Sequence, residues 1–248
     1  PLPIKAILAP ELLRVLRVIE ARGAIESARR ANQVASQIFD HAIAMGFAEL
    51  NPALAIKRAL KRPTTRHHAA ILEPTKLGEV LRAIDGYRGS EIVRVALKLT
   101  PMLLVRPGEL RHMEWREVDL DNALWTIPSS KMKRRKDHLV PLPAQAVRWI
   151  RSLQPLTGEG RFVFPSARSV SRPVSENAVL YALRGLGIAK EEATPHGLSA
   201  TARTLMVEQL GIRTDVIEHQ LAHAVKDATG EAYNRTRLLP ERREMMEC

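Results

Sequence analysis

Four stretches of this chain carry side chains suited to handling an anion. Arg106 stands in Leu104-Val105-Arg106-Pro107-Gly108-Glu109-Leu110, where Glu109, one helical turn on, can hold the loop or a neighbour. Lys131, Lys133, Arg134, Arg135 and Lys136 crowd together just ahead of His138-Leu139-Val140-Pro141-Leu142. His196 lies in Pro195-His196-Gly197-Leu198-Ser199, and His223 closes Leu221-Ala222-His223, ten residues before Tyr233. A phosphodiester suits such a set. Its substitution passes through a transition state with charge on the non-bridging oxygens, and fixed cations aimed at them lower the barrier without a metal. Arginine is always charged and offers a planar fork of donors. A lysine can protonate a departing alkoxide, and histidine can donate to phosphate near neutral pH. Tyrosine, with a free pKa of about 10, attacks phosphorus only in a positive, hydrogen-bonding site. Each stretch alone is weak: a surface arginine at a helix start, a basic hairpin gripping backbone, or structural histidines would show the same residues.

Their combination and order are specific. Arg106-Pro107-Gly108-Glu109-Leu110 resembles the R-x-G-E-L box of tyrosine recombinases, and residues 133–142 resemble the family's β-hairpin lysine segment. The phrases Ala222-His223-Ala224 and Ala232-Tyr233-Asn234-Arg235 are most similar to integrases of satellite phages and genomic islands. The resemblance covers most of residues 74–237. It implies Tyr233 as nucleophile, Lys133 as general acid, and Arg106, His196 and His223 around the phosphate. The implied reaction cleaves one strand at a time through a 3′-phosphotyrosyl link, so that rejoining needs no ATP and no cofactor. The implied partner is double-stranded DNA at attachment-type sites, bound by four protomers, with a monomer off DNA and DNA-bending accessory proteins as helpers. Integration or excision of a mobile element such as a prophage would follow, in the cytoplasm at the nucleoid. A type IB topoisomerase shares this chemistry and is the nearest enzymatic alternative. Tyr87, in the loop Gly86-Tyr87-Arg88-Gly89, and Tyr181, mid-helix beside Val179 and Leu183 where it is expected to pack, have weaker claims than Tyr233.

One position breaks the pattern. The family's third box reads His-x-x-Arg, whereas here it is His196-Gly197-Leu198-Ser199. Serine donates one hydrogen bond and brings no charge, and losing a charged transition-state donor removes about 3–4 kcal/mol, a hundredfold or more in rate. Arg203 lies one turn further on the same predicted helix, about 6 Å along its axis, and is the candidate substitute. The alternatives are a weakened recombinase and a DNA-binding relative that no longer cuts.

The elements that must position these residues follow from periodicity. With Lys and Arg numbering 38 against 27 acidic residues, a net charge of +11, the chain's field favours polyanions. The only cysteine is Cys248, which excludes a disulfide framework or a cysteine-based zinc site, and no carboxylate or histidine cluster has metal-ligand spacing. No stretch approaches the roughly 20 uncharged apolar residues of a membrane span. The start, Pro1-Leu2-Pro3, lacks a Met and a signal-peptide pattern, and is expected to belong to a longer chain. Residues 1–62 read as a small helical core-binding domain, shortened at its N-terminus. Its stripes are Leu12, Leu13, Leu16, Ile19 and then Ile25, Ala28, Ala31, Val34, Ile38, Ile43. Residues 63–72 read as a basic linker, with Lys57, Arg58, Lys61, Arg62 and Arg66 as candidate phosphate contacts together with Lys131, Arg134, Arg135 and Lys136. Residues 73–248 read as a catalytic domain, mainly α with one small antiparallel sheet. Strands are predicted at 118–120, 124–128 and 138–142, and helices from Glu73-Pro74 to Met102, from Pro143 to about Leu153, and near 175–186, 197–210 and 213–222.

Overall fold

The computed structural model describes residues 2–62, 70–133, 135–223 and 238–248. The chain forms two compact units, Pro1–His67 and His68–Cys248.

The first unit packs α1 (Ala9–Ala21), α2 (Ile25–Ala44) and α3 (Pro52–Ile56). Glycines at positive φ, Gly23 and Gly46, let the chain leave α1 and α2. Asn51 caps α3 by accepting from the Ala53 amide at 3.0 Å, and its amide group donates to Ser36 Oγ and Asp40 Oδ1. Leu16, Ile56 and Leu60 form the core, with Leu12, Leu13 and Ile19 packed against them, as the first stripe predicts. The second stripe is displaced. Ala28 is buried as predicted, but Val34 and Ile38 are each 54% exposed, and α2 completes its buried side with Asn32, Phe39 and Ala42. Small residues allow close approach to α3, and buried Asn32 is tolerated because its amide donates to the Ala53 carbonyl at 3.1 Å.

The second unit is mostly helical with two small antiparallel sheets: α4 (Pro74–Asp85), α5 (Glu91–Leu103), α6 (Pro107–Arg111), β1 (Val118–Asp119), β2 (Leu124–Ile127), β3 (His138–Pro141), α7 (Ala144–Thr157), β4 (Pro165–Ser166), β5 (Ser169–Pro173), α8 (Ala178–Gly185), α9 (Pro195–Glu208), α10 (Thr214–Gln220) and α11 (Leu239–Glu247). The first sheet has order β1-β2-β3, pairing Trp125 with Val118 on one side and Val140 on the other. Trp125, Ile127 and Val140 point into a core shared with Leu99 and Leu103 of α5, Ile150 and Leu153 of α7, and Phe164. A smaller cluster joins Val80 and Ile84 of α4 to Leu97, Leu183 and Leu198. α7 runs to Thr157, past the predicted end near Leu153, and carries Pro155 inside its last turn. The β4–β5 hairpin is not foreseen by the sequence pattern. Tyr181 is 69% exposed and does not pack as expected. No helix among the described residues is long and apolar enough to cross a membrane.

Candidate active site

Arg106 is placed by a tight corner. α5 ends at Leu103, Leu104 takes a left-handed φ of 57°, and two residues later Arg106 immediately precedes α6. Glu109 grips it twice, accepting from the Arg106 amide at 2.9 Å and from Nη1 at 2.6 Å. This is the holding role expected of Glu109, and it fixes the guanidinium relative to its own backbone. The Arg106 side chain remains 40% exposed, so the corner presents a fixed cation at the surface.

That cation lines a cleft of about 890 Å³, where Arg106 and Glu109 meet Lys131 and Lys133 from the hairpin segment and His196 from α9. His112, Asn177, Thr194 and the acidic Glu176 also line the cleft. His196 is exposed in the first turn of α9. That helix starts cleanly because Pro195 takes its first position and Thr194 Oγ1 accepts from the Gly197 amide at 2.9 Å. His112 is held by its Nδ1 at 2.7 Å from the Gly108 carbonyl. The cleft thus combines an arginine, an exposed lysine and a histidine at a helix N-terminus, an arrangement that stabilises a bound phosphate.

Lys131, expected among the DNA-gripping cations, is also bound to carboxylates of its own chain. Its ammonium lies 2.7 Å from Glu114 Oε1 and 2.5 Å from Glu117 Oε1, and it donates to the His112 carbonyl at 2.8 Å. Both carboxylates are buried, Glu114 being 1% exposed. Glu114 also takes Arg161 Nη2 at 2.9 Å and Arg116 Nε at 2.8 Å. Lys131 is therefore a strut tying the hairpin base to the loop after α6, its charge shared with two buried carboxylates at the edge of the cleft. A hydrogen bond from Arg161 does most to lower the Glu114 pKa; burial opposes it, and the hydrogen bond and charge of Lys131 add to the lowering, to about 2.

A second polar cluster joins α9 to the end of α10. Glu218 Oε1 accepts from Arg203 Nε at 2.6 Å, and its Oε2 lies 2.7 Å from His223 Nδ1. Burial pushes the Glu218 pKa up, but the hydrogen bonds from Arg203 and His223 and their charges outweigh it, leaving the carboxyl below its ordinary value. Arg203, Ser199 and His223 do not line the cleft. Arg203, the candidate substitute for the missing arginine, is instead bound to Glu218. Ser199 is half-buried on α9, one turn beyond His196.

Lys57, Arg58, Lys61 and Arg62 are exposed in the first unit, as are Lys133, Arg135 and Lys136 in the second. Tyr233, Arg66 and Arg134 lie outside the described residues. Sequence reasoning missed Glu114, Glu117, Arg161 and Glu218, since none belongs to the short motifs that mark the cations. The one local signal was Glu218, near the end of α10, standing five positions before His223.

The second unit, mostly helical, thus carries a cleft whose Arg106, Lys131, Lys133 and His196 suit an anionic group such as a phosphate. Residues 72–238 match the phage integrase family and residues 1–59 match the phage integrase central domain, so the chain belongs to the phage integrase family. It is 32% identical over 258 aligned positions to the integrase of Enterobacteria phage P4, covering 98% of this chain and 58% of that protein. The chain thus spans a little under three fifths of that relative. The fold is similar to a lambda integrase fragment solved as a dimer bound to a COC′ core site (TM-score 0.68, 21% identity, 90% of this chain and 81% of that one). It is also similar to a lambda integrase tetramer bound to a Holliday junction (TM-score 0.66, 19% identity, 92% and 67%).

Proposed function

We propose that this chain is the strand-cleaving part of a site-specific DNA recombinase that integrates or excises a mobile element. The observation that carries the reading is the cleft, which brings Arg106, Lys133 and His196 together from three distant segments. In this reading Arg106 and His196 hold the scissile phosphate, and Tyr233 attacks phosphorus to leave a 3′-phosphotyrosyl bond. Lys133 protonates the departing 5′ oxygen, and His223 assists at the phosphate. The free 5′ hydroxyl of a partner strand then reverses the step. The exposed cations of residues 57–62, with Lys133, Arg135 and Lys136, grip the duplex backbone, and four protomers act on two sites. The protein works in the cytoplasm on nucleoid DNA, with DNA-bending proteins as helpers. A nicked suicide duplex carrying the element's own junction sequence tests it: a covalent protein–DNA band that survives denaturation is expected. Tight binding with no such band from any junction duplex would favour the non-cleaving relative, for which Ser199 is the specific support.

Ser199→Arg is expected to raise the single-turnover cleavage rate at least tenfold, a conservative share of what a charged donor supplies to this transition state. Residue 199 sits one turn after cleft-lining His196, and helical side chains lean toward the N-terminus, so an arginine there reaches back toward the cleft. Duplex affinity should change much less, because a transition-state contact acts on rate. An unchanged cleavage rate would mean that position 199 lies outside the working site.

A further inference from the structure

His223 is held with more care than a loose surface histidine needs. α10 ends in a Schellman arrangement: the Ala222 amide donates to the His219 carbonyl at 3.2 Å, and the His223 amide donates to the Glu218 carbonyl at 3.0 Å. Ala222 takes a left-handed φ of 53°, a conformation that costs a residue with a Cβ. The side chain of Glu218 then closes on the same histidine, with Oε2 at 2.7 Å from Nδ1, while Arg203 secures Oε1 at 2.6 Å. One residue therefore fixes His223 through both its carbonyl and its carboxylate. The carboxylate is 19% exposed and is itself tied to a second helix, so it is a firm reference point.

We infer that Glu218 is the positioning residue for His223: it keeps the proton on Nδ1 and commits Nε2 as the nitrogen that meets the phosphate. This rests on the reading that His223 acts at the scissile phosphate. The physical basis is that an imidazole nitrogen bonded to a carboxylate carries the hydrogen, which decides the tautomer and orients the ring. Arg203, in turn, holds the carboxylate that orients the histidine.

Two measurements test it. The first needs no cleavage. Nitrogen-15 NMR of the histidine rings, at a pH where they are neutral, should show Nδ1 protonated in His223 of the unaltered protein. Glu218→Ala should lose that signature and Glu218→Asp should restore part of it. A His223 ring protonated on Nε2 in the unaltered protein, or one that ignores Glu218→Ala, overturns the inference. The second is single-turnover cleavage of the suicide duplex. Glu218→Ala should slow it by about tenfold, a share of what positioned proton donors contribute, with duplex affinity within twofold. In a His223→Ala background the same substitution should do nothing further. Equal slowing in both backgrounds would show that Glu218 acts through the fold rather than through His223. If the NMR result holds but no protein variant or wild type ever cleaves, the recombinase reading fails and the clamp on His223 stands.

Discussion

Tyr233→Phe is expected to eliminate the covalent protein–DNA band on a suicide substrate, a fall of at least about a thousandfold in cleavage, since no other group can take over a lost nucleophile. The substitution removes one oxygen and keeps the ring, so the cleft formed by Arg106, Lys133 and His196 stays as it is. Duplex affinity should therefore stay within about twofold, because contacts to the phosphate backbone dominate it. The other tyrosines supply controls. Tyr87 is partly buried against the cluster of Val80, Ile84 and Leu97, where a nucleophile would be out of reach. Tyr181 is 69% exposed on α8 but does not line the cleft, although its neighbour Leu180 does. Tyr87→Phe and Tyr181→Phe should leave the band intact. A band that persists in Tyr233→Phe and vanishes in Tyr181→Phe would move the chemistry to α8.

What could be read beforehand was what local pattern encodes. β2 alternates, with Trp125 and Ile127 turned inward, so a period of two was visible in Leu124–Ile127, whereas β3 buries His138, Val140 and Pro141 without strict alternation. Arg106 and Glu109 are one turn apart, and their pairing follows from that spacing. Ser169–Pro173, two serines, an exposed valine, an arginine and a proline, buries almost nothing, so β5 has no alternation to find. The face of α2 was read correctly at Ala28 and Ala31 but not beyond, because Asn32, Phe39 and Ala42 fill the close-packed side while Val34 and Ile38 point out. In the site, the legible part was the set of cations, since charge and motif both mark them. The acids that hold those cations come from elsewhere in the chain. Glu218 reaches Arg203 across 15 positions, and Glu114 and Glu117 meet Lys131 only once β1 and β2 have paired. A basic residue that grips DNA and one that braces a hairpin look alike until the fold brings the carboxylates.

That distinction gives Lys131→Met its expected result: a loss of about 3–5 kcal/mol in stability, on the order of a 10 °C fall in Tm for a unit of this size. Methionine keeps most of the volume and removes the charge, leaving Glu117, whose remaining partners are the Glu114 amide and Trp125 Nε1, buried without its cation. Glu114 retains Arg161 and Arg116, so Glu117 bears the larger cost. Adding Glu117→Gln should recover much of the loss, because a neutral amide no longer needs a counter-charge. The acid limb supplies an independent check. Glu114 titrates lower in the folded protein, at about 2, than in the unfolded chain, so its contribution is fully present above the unfolded value near 4.5 and is lost as pH falls through about 2. Since Lys131 supplies part of that lowering, Lys131→Met should flatten the fall in stability between those limits. Chemical denaturation of the variant and the parent across this pH range measures both effects. A variant with unchanged Tm but weakened, less salt-sensitive duplex binding would instead make Lys131 a phosphate contact. The strut predicts the opposite pair of results, because a cation already shared between two carboxylates has little charge left to offer DNA.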